Sequence, residues 1–436
     1  MRPFPCTALL APSVLFLLGA GSLPVRARAL DLRWGLYRAW LDSPGGELGF
    51  GLELSKDALG SPVRAFVING SERIEIPRVR FNEQQLILDI SHYDSRIECR
   101  SQEDGGGLHG TWKKRLGDEE WCELGFHALA ATGADATGLK PPRSIEPLDP
   151  RAPGRTVAPR WRVRFESSED PAVGLFQTDS TGACTGTFLT STGDYRYLAG
   201  SFDGRDLRLS CFDGAHAFLF AASMSEDGEL SGDFWSRDRW HERWTARADP
   251  DAHLEDPFDQ SSWNERVSLE SLRFRDLSGV PVSLADERFA GKARILHVFG
   301  SWCPNCHDAG EELVRLHRRF KDRGLSIVGL AFEITEDLAR NAEMVRRYAA
   351  RHGVEYPLLI AGPADKEKAS LAFPALDRIE AFPTTIFLDE QGKVAAVHTG
   401  FSGPATGVFF ERQRERFEEI ALGLIAAAEE RRSRVP

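Results

Sequence analysis

Two cysteines stand three positions apart in the stretch Ser301-Trp302-Cys303-Pro304-Asn305-Cys306-His307. Cysteines at that spacing serve thiol–disulfide exchange, metal ligation or attachment of a c-type haem. What positions the pair decides among them. An apolar run, Ile295-Leu296-His297-Val298-Phe299, leads in, and a helical pattern follows over residues 304–322. In that pattern Leu313, Leu316 and Phe320 share one face and Gly324 stands just past the end. The pair therefore lies between a buried strand and the N-terminus of a helix. Such a terminus carries unpaired N–H groups and a partial positive charge, both of which favour an anion. Cys303 is expected to be the exposed, low-pKa nucleophile, and Cys306, one turn in, the resolving thiol. Pro304 suits the first helical position, where a missing N–H loses no bond.

The other chemistries fit less well. Cys303 to His307 also matches the haem pattern C-x-x-C-H, but only Met224 and Met344 are left as methionine axial ligands once Met1 is removed. Zinc needs four ligands, and no second cysteine pair has suitable spacing, so no metal is expected. A purely structural Cys303–Cys306 bridge would leave the helix position unused. Trp302 reads as a shield and contact surface, or as simple packing. His307 would stabilise the Cys303 thiolate if protonated, or is an exposed bystander. His297 is an acid–base candidate or a packed core histidine.

The 436 residues exceed one ordinary core, and a net charge of −11 argues against nucleic acid as a partner. Arg2, an apolar run over residues 8–18 and Ala27-Arg28-Ala29 read as a signal peptide, residues 1–29, cleaved after Ala29. The alternative is an uncleaved anchor, although the run is short and Pro12 interrupts it. The reading places the protein in the periplasm or outside the cell. Two β-rich modules follow, residues 30–129 and 160–247, joined by a Pro/Ala/Gly-rich linker over 130–159. Asn69-Gly70 marks a hairpin. The second module echoes the first at an offset of about 121 residues: Leu86-Ile87-Leu88 matches Leu207-Arg208-Leu209, and Gly110-Thr111-Trp112 matches Gly232-Asp233-Phe234. Each copy should hold six to eight short antiparallel strands in a barrel or sandwich. Cys99 and Cys122 fall in the first copy, Cys184 and Cys211 in the second, and outside the cytoplasm each pair is expected to form a structural disulfide. Buried reduced thiols are the alternative. A second linker covers 248–262. Strand–helix alternation over 263–431, with a terminal hairpin, reads as an α/β layered domain.

The two β modules resemble lipocalin-like barrels in strand rhythm and in a late Leu-x-Gly-x-Trp-like signature. The C-terminal domain resembles the thioredoxin superfamily, specifically the exported TlpA/ResA-like disulfide reductases. Three motifs carry that likeness: Phe299-Gly300-Ser301-Trp302-Cys303-Pro304-Asn305-Cys306, the segment from Ala381-Phe382-Pro383-Thr384 to Gln391-Gly392-Lys393-Val394, and His398-Thr399-Gly400-Phe401-Ser402-Gly403-Pro404. The resemblance implies a cis Phe382–Pro383 bond facing the cysteines, with Phe382 and Thr384 beside the substrate chain. It implies protein thiols and disulfides as partners, a membrane protein as possible electron donor, and no cofactor beyond the Cys303–Cys306 couple. Relatives often carry a Glu three residues after the second cysteine, where this chain has Ala309, with Glu311 and Glu312 further on. His297 takes the place of an acid that many thioredoxins bury six residues before the first cysteine. The reading is an extracytoplasmic thiol–disulfide oxidoreductase acting as a reductase. The alternative is a non-catalytic scaffold whose β modules bind a ligand or partner.

Overall fold

The computed structural model describes residues 32–56, 62–82, 85–102, 106–131 and 157–434; the expected signal peptide and most of the first linker lie outside the described residues. Apolar alternation builds nine strands in the first module. They are β1 (Gly35–Ser43), β2 (Gly46–Ser55), β3 (Arg64–Asn69), β4 (Glu72–Glu75), β5 (Arg78–Asn82), β6 (Gln85–Ile90), β7 (Ser95–Ser101), β8 (Gly107–Arg115) and β9 (Trp121–Ala130). They pair in the order β4-β3-β2-β1-β9-β8-β7-β6-β5, a curled sheet that stops short of closure: a half-barrel. The second module repeats the nine as β10 (Arg160–Phe165), β11 (Ala172–Thr178), β12 (Ala183–Thr190), β13 (Gly193–Asp194), β14 (Leu198–Phe202), β15 (Asp206–Phe212), β16 (Ala217–Met224), β17 (Leu230–Ser236) and β18 (Trp240–Ala248). Here β14 pairs with β12 and β12 with β11, which closes the barrel. Each copy exceeds the expected strand count because β4 and β13 are too short to leave a periodic signal. The β3–β4 hairpin turns on Gly70-Ser71, and Asn69 is the last strand residue, paired with Glu72.

The duplication is visible in detail. Gly110 and Gly232 are equivalent, and a Cβ on either would lie 2.0 or 1.9 Å from a neighbouring-strand carbonyl oxygen, so both strands fold sharply onto their neighbours. The barrel interior is packed with rings, among them Phe165, Phe188, Tyr195, Phe220, Phe234 and Trp244, at centroid distances of 4.3–6.4 Å. The half-barrel completes its core with residues from the barrel: Phe212, Ala215, Ala217 and Leu219 join it. Phe212 lies 4.6 Å from Phe50 and 5.3 Å from Trp112, ring to ring. The Asn69 side chain bonds both the N–H and the C=O of Phe212, as a neighbouring strand would.

The expected disulfides do not form: Cys99, Cys122, Cys184 and Cys211 are all free and buried. The strand register explains why. Cys99 faces Gly110 on β8, which faces Phe126 on β9, four residues along from Cys122. Cys184 faces Gly200 on β14, and Cys211 lies one strand further, on β15. Two strand spacings come to about 9–10 Å, whereas a disulfide needs Cα atoms roughly 4.4–6.8 Å apart. Burial pushes the Cys99 and Cys122 thiols up to about 12 and Cys184 up to about 11.

The third unit is a seven-stranded sheet in the order β20-β19-β23-β22-β21-β24-β25. Its strands are β19 (Arg273–Asp276), β20 (Pro281–Ser283), β21 (Ala293–Phe299), β22 (Leu325–Glu333), β23 (Leu358–Pro363), β24 (Thr384–Leu388) and β25 (Val394–Thr399). Strands β21, β22 and β23 run parallel, and β24 and β25 antiparallel. The helices are α1 (Pro304–Phe320), α2 (Leu338–His352), α3 (Lys366–Ala372) and α4 (Val408–Arg434). Every residue of β21 is buried, as its unbroken apolar run requires. Helix α1 ends earlier than the pattern suggested, at Phe320, because its last turn tightens to a 3₁₀ turn before Gly324 at φ 97°.

Candidate active site

Strand β21 delivers the chain to the cysteine pair, and α1 holds it. Cys303 is the N-cap of α1, and its sulfur accepts the Cys306 N–H at 3.4 Å, taking up one of the donors a helix start leaves unpaired. The Cys303 thiol donates to the Phe382 carbonyl at 3.3 Å. Cys303 is 7 % exposed and Cys306 not at all. Burial, then the bond to Cys303, pushes the Cys306 thiol well above its ordinary range. The Phe382–Pro383 bond is cis. Its loop is braced from behind: the Pro383 carbonyl accepts the Gly400 N–H at 2.9 Å. Trp302 donates to the Phe332 carbonyl at 2.9 Å and meets the Phe382 ring edge-on at 5.7 Å, so it is pinned beside the sulfurs.

Three expected roles change. Thr384 is fully buried and its hydroxyl donates to Ala381 O at 2.9 Å, so it braces the loop and does not face a substrate. His297 is fully buried, stacks on Phe299 at 5.1 Å, and has no hydrogen-bond partner on either ring nitrogen. Burial lowers its pKa to about 3, so it is the neutral imidazole and not an imidazolium acid. His307 is also buried rather than exposed. One ring nitrogen, Nε2, bonds Ser301 O at 2.8 Å, and Nδ1 bonds His352 Nε2 at 2.7 Å. Burial drives it well below the ordinary histidine range, so it supplies no cation to Cys303. Its ring packs at 4.8 Å on Tyr93 of the half-barrel.

The acid missing at Ala309 stands elsewhere. Ala309 is fully buried; Glu312 is committed to Arg315 and Arg414, and Glu311 lies 3.5 Å from His352. Glu333, at the C-terminal end of β22, is buried, and its carboxylate accepts Ser301 N–H at 2.9 Å and Ser301 Oγ at 2.7 Å. Burial raises it to about 7, and its charge is among those that raise Cys306. The only sequence signal was an acid ending an otherwise apolar strand. The parallel register, Phe299 beside Ala331, is what sets Glu333 level with Ser301.

Both β modules reach the site. Asn305, between the cysteines, donates to Asp194 O of the barrel at 3.3 Å. Asp308 on α1 meets Arg196 of the barrel, whose guanidinium also lies 3.2 Å from Glu72 of the half-barrel and 3.7 Å from Asp213. None of these residues was singled out from sequence. Among the described residues no cluster of three or more His, Cys, Asp or Glu is arranged to hold a metal ion.

Residues 266–407, which contain the cysteine pair, Glu333 and Pro383, match the Redoxin family. The chain is 29 % identical over 138 residues to the thiol-disulfide oxidoreductase ResA of Halalkalibacterium halodurans, covering 31 % of this chain and 69 % of that protein. It is 28 % identical over 126 residues to the thioredoxin-like protein YneN of Bacillus subtilis, covering 29 % of this chain and 66 % of that one. Among solved structures, a putative thiol:disulfide interchange protein DsbE from Chlorobium tepidum is 19 % identical, with a TM-score of 0.29, covering 38 % of this chain and 99 % of that chain. The Redoxin match leaves both β modules outside it.

Proposed function

We propose that this protein, whose C-terminal third is a Redoxin domain, is an extracytoplasmic protein-disulfide reductase. The observation that carries the reading is the pairing of Cys303 at the helix start, its sulfur between the Cys306 N–H and the Phe382 carbonyl, with a fully buried Cys306 behind it. The Cys303 thiolate attacks one sulfur of a partner disulfide. A Cys303–partner bond forms, the partner's S–S bond breaks, and the departing thiolate takes a proton. Cys306 then loses its proton and attacks the Cys303 sulfur, which releases the partner's second thiol. The partner gains two electrons and the Cys303–Cys306 pair is left as a disulfide. An external dithiol, supplied across the membrane in this reading, restores it.

Glu333 is the group that takes the Cys306 proton. It is held by Ser301 just ahead of the pair, and burial keeps it titrating near neutrality, where a proton acceptor is most effective. Glu333→Gln should slow release of mixed disulfides and flatten the rise of that step with pH; an unchanged profile removes Glu333 from the mechanism. Export rests on the leader-like residues 1–29. Among the described residues no helix is long and apolar enough to cross a membrane.

Insulin-disulfide reduction by wild type and by Cys303→Ser tests the whole reading. Equal rates would refute it. Cys306→Ser should accumulate mixed disulfides on Cys303. A scaffold that binds its ligand inside the barrel has little support, because aromatic rings fill that interior.

A further inference from the structure

The cysteine pair is nearly closed to solvent, and a segment of the barrel packs against the residue between the two cysteines. Between β12 and β14 the barrel sends residues 190–196 onto the site. Three contacts hold it beside the site. Asp194 O holds Asn305 at 3.3 Å, between the two cysteines. The Asp194 carboxylate accepts the Gly403 N–H at 2.6 Å. The backbone of Ser191 and Thr192 lies against Gly400, where a Cβ would be 3.0 Å from Ser191 O. Gly400 in turn bonds the carbonyl of Pro383. The segment thus touches the first turn of α1 at Asn305 and the loop after β25 that backs Pro383.

A latch holds it there. Arg196, at φ 63° and buried, sits among carboxylates from all three units: Asp308 of α1, Glu72 of the half-barrel and Asp213 of the barrel. Its own N–H bonds Asp194 at 2.7 Å. One cation shared by carboxylates on three bodies fixes their relative placement, because separating them strands buried charge.

We propose that residues 190–196, latched by Arg196 to Asp308, are the selectivity element of the Cys303 site, admitting small disulfides and disulfides on flexible chains and refusing those set in a folded surface. This rests on the oxidoreductase reading above. The physical basis is access. Attack needs the target S–S bond in line with the Cys303 sulfur, with the partner chain passing beside Asn305 and Pro383. A folded partner also needs a broad docking area, on the order of 800 Å² per side, and the barrel segment stands in it. A narrow probe needs only the opening that leaves Cys303 7 % exposed.

The test uses two probes for reduced, full-length protein. One is dithionitrobenzoate. The other is a folded protein bearing one surface cysteine as its thionitrobenzoate mixed disulfide. Both release the same chromophore, and free glutathione calibrates their intrinsic reactivity. Cys303 is the most exposed of the six described thiols, the others being at 0–1 %. Wild type should disfavour the folded probe at least ~10-fold relative to glutathione. Gly193→Leu should recover most of that factor, since a Cβ there would lie 2.1 Å from Asn305 Nδ2 at φ +146°. Arg196→Gln should do the same by releasing the latch. A wild-type ratio equal to that of glutathione overturns the proposal even if neither variant folds, and folded variants that keep the wild-type ratio also overturn it. Turnover of an unstructured disulfide peptide, followed in parallel, reports on the oxidoreductase reading by itself: its absence would sink that reading while the probe ratio still judges access.

Discussion

The two β modules repeat the same nine strands in the same order, yet one is a closed barrel and the other a half-barrel. The difference lies in one missing ladder. In the barrel β14 pairs with β12; its counterpart β5 does not pair with β3. A residue swap accompanies this. Gly200 on β14 faces Leu209, where Val79 on β5 faces Leu88. A Cβ on Gly200 would lie 2.0 Å from Arg208 O, so only glycine lets β14 fold tightly onto β15 and swing toward β12. Closure then decides where each core finds its last residues. The barrel fills itself with rings, and the half-barrel borrows Phe212 and its neighbours. A duplicated pattern can therefore have one copy supply what the other lacks, and the pair behaves as one body presented to the redox site.

The largest test of that dependence is Phe212→Ala. It should cost about 3–5 kcal/mol, and hydrogen exchange should rise in β1, β2 and β8 of the half-barrel before it rises in the barrel. Exchange rising first in β14–β16 would break the comparison. Arg196→Gln comes next, at about 3 kcal/mol or more by denaturant titration near pH 8, since a buried pair loses one partner. Its pH dependence has a definite sign. Burial raises Glu72, Asp194 and Asp308, the last to about 7, so the folded state binds their protons more tightly than the unfolded chain does. Their contribution to stability falls as pH rises from about 4 toward 7. Without Arg196 those carboxylates rise further, and the fall should extend above 7. A loss independent of pH would show that Arg196 acts by packing alone. Gly200→Val should cost about 1–3 kcal/mol and loosen the β12–β14 ladder. The reciprocal Val79→Gly should cost only about 0.5–1 kcal/mol and leave the half-barrel open. Equal effects of the two would mean that this position does not govern closure.

The same contrast separates the cysteines. All six described ones are reduced and buried, but four lie within strands, where burial keeps the thiol protonated, while Cys303 caps a helix. That distinction was legible from sequence, because Pro304, the apolar run before it and the helical pattern after it are all local. The disulfide expectation failed for a non-local reason: evenness of count says nothing about register, and register put a whole strand between the partners of each pair. For His297 the packed-core alternative is the one the structure shows, whereas the burial of His307 was not legible, since it depends on elements distant in sequence, such as Tyr93.

By itself the sequence determined the order of units, the repeat, the strand–cysteine–helix arrangement and the segment around Pro383. These follow from short-range periodicity and from residues whose backbone preferences act in place. The tertiary structure alone decided that Glu333 is buried against Ser301, that one copy closes and the other does not, and that Arg196 joins carboxylates of all three units. Each depends on which strands lie side by side and on how much water they exclude, and no stretch of chain carries that information until the sheets have formed.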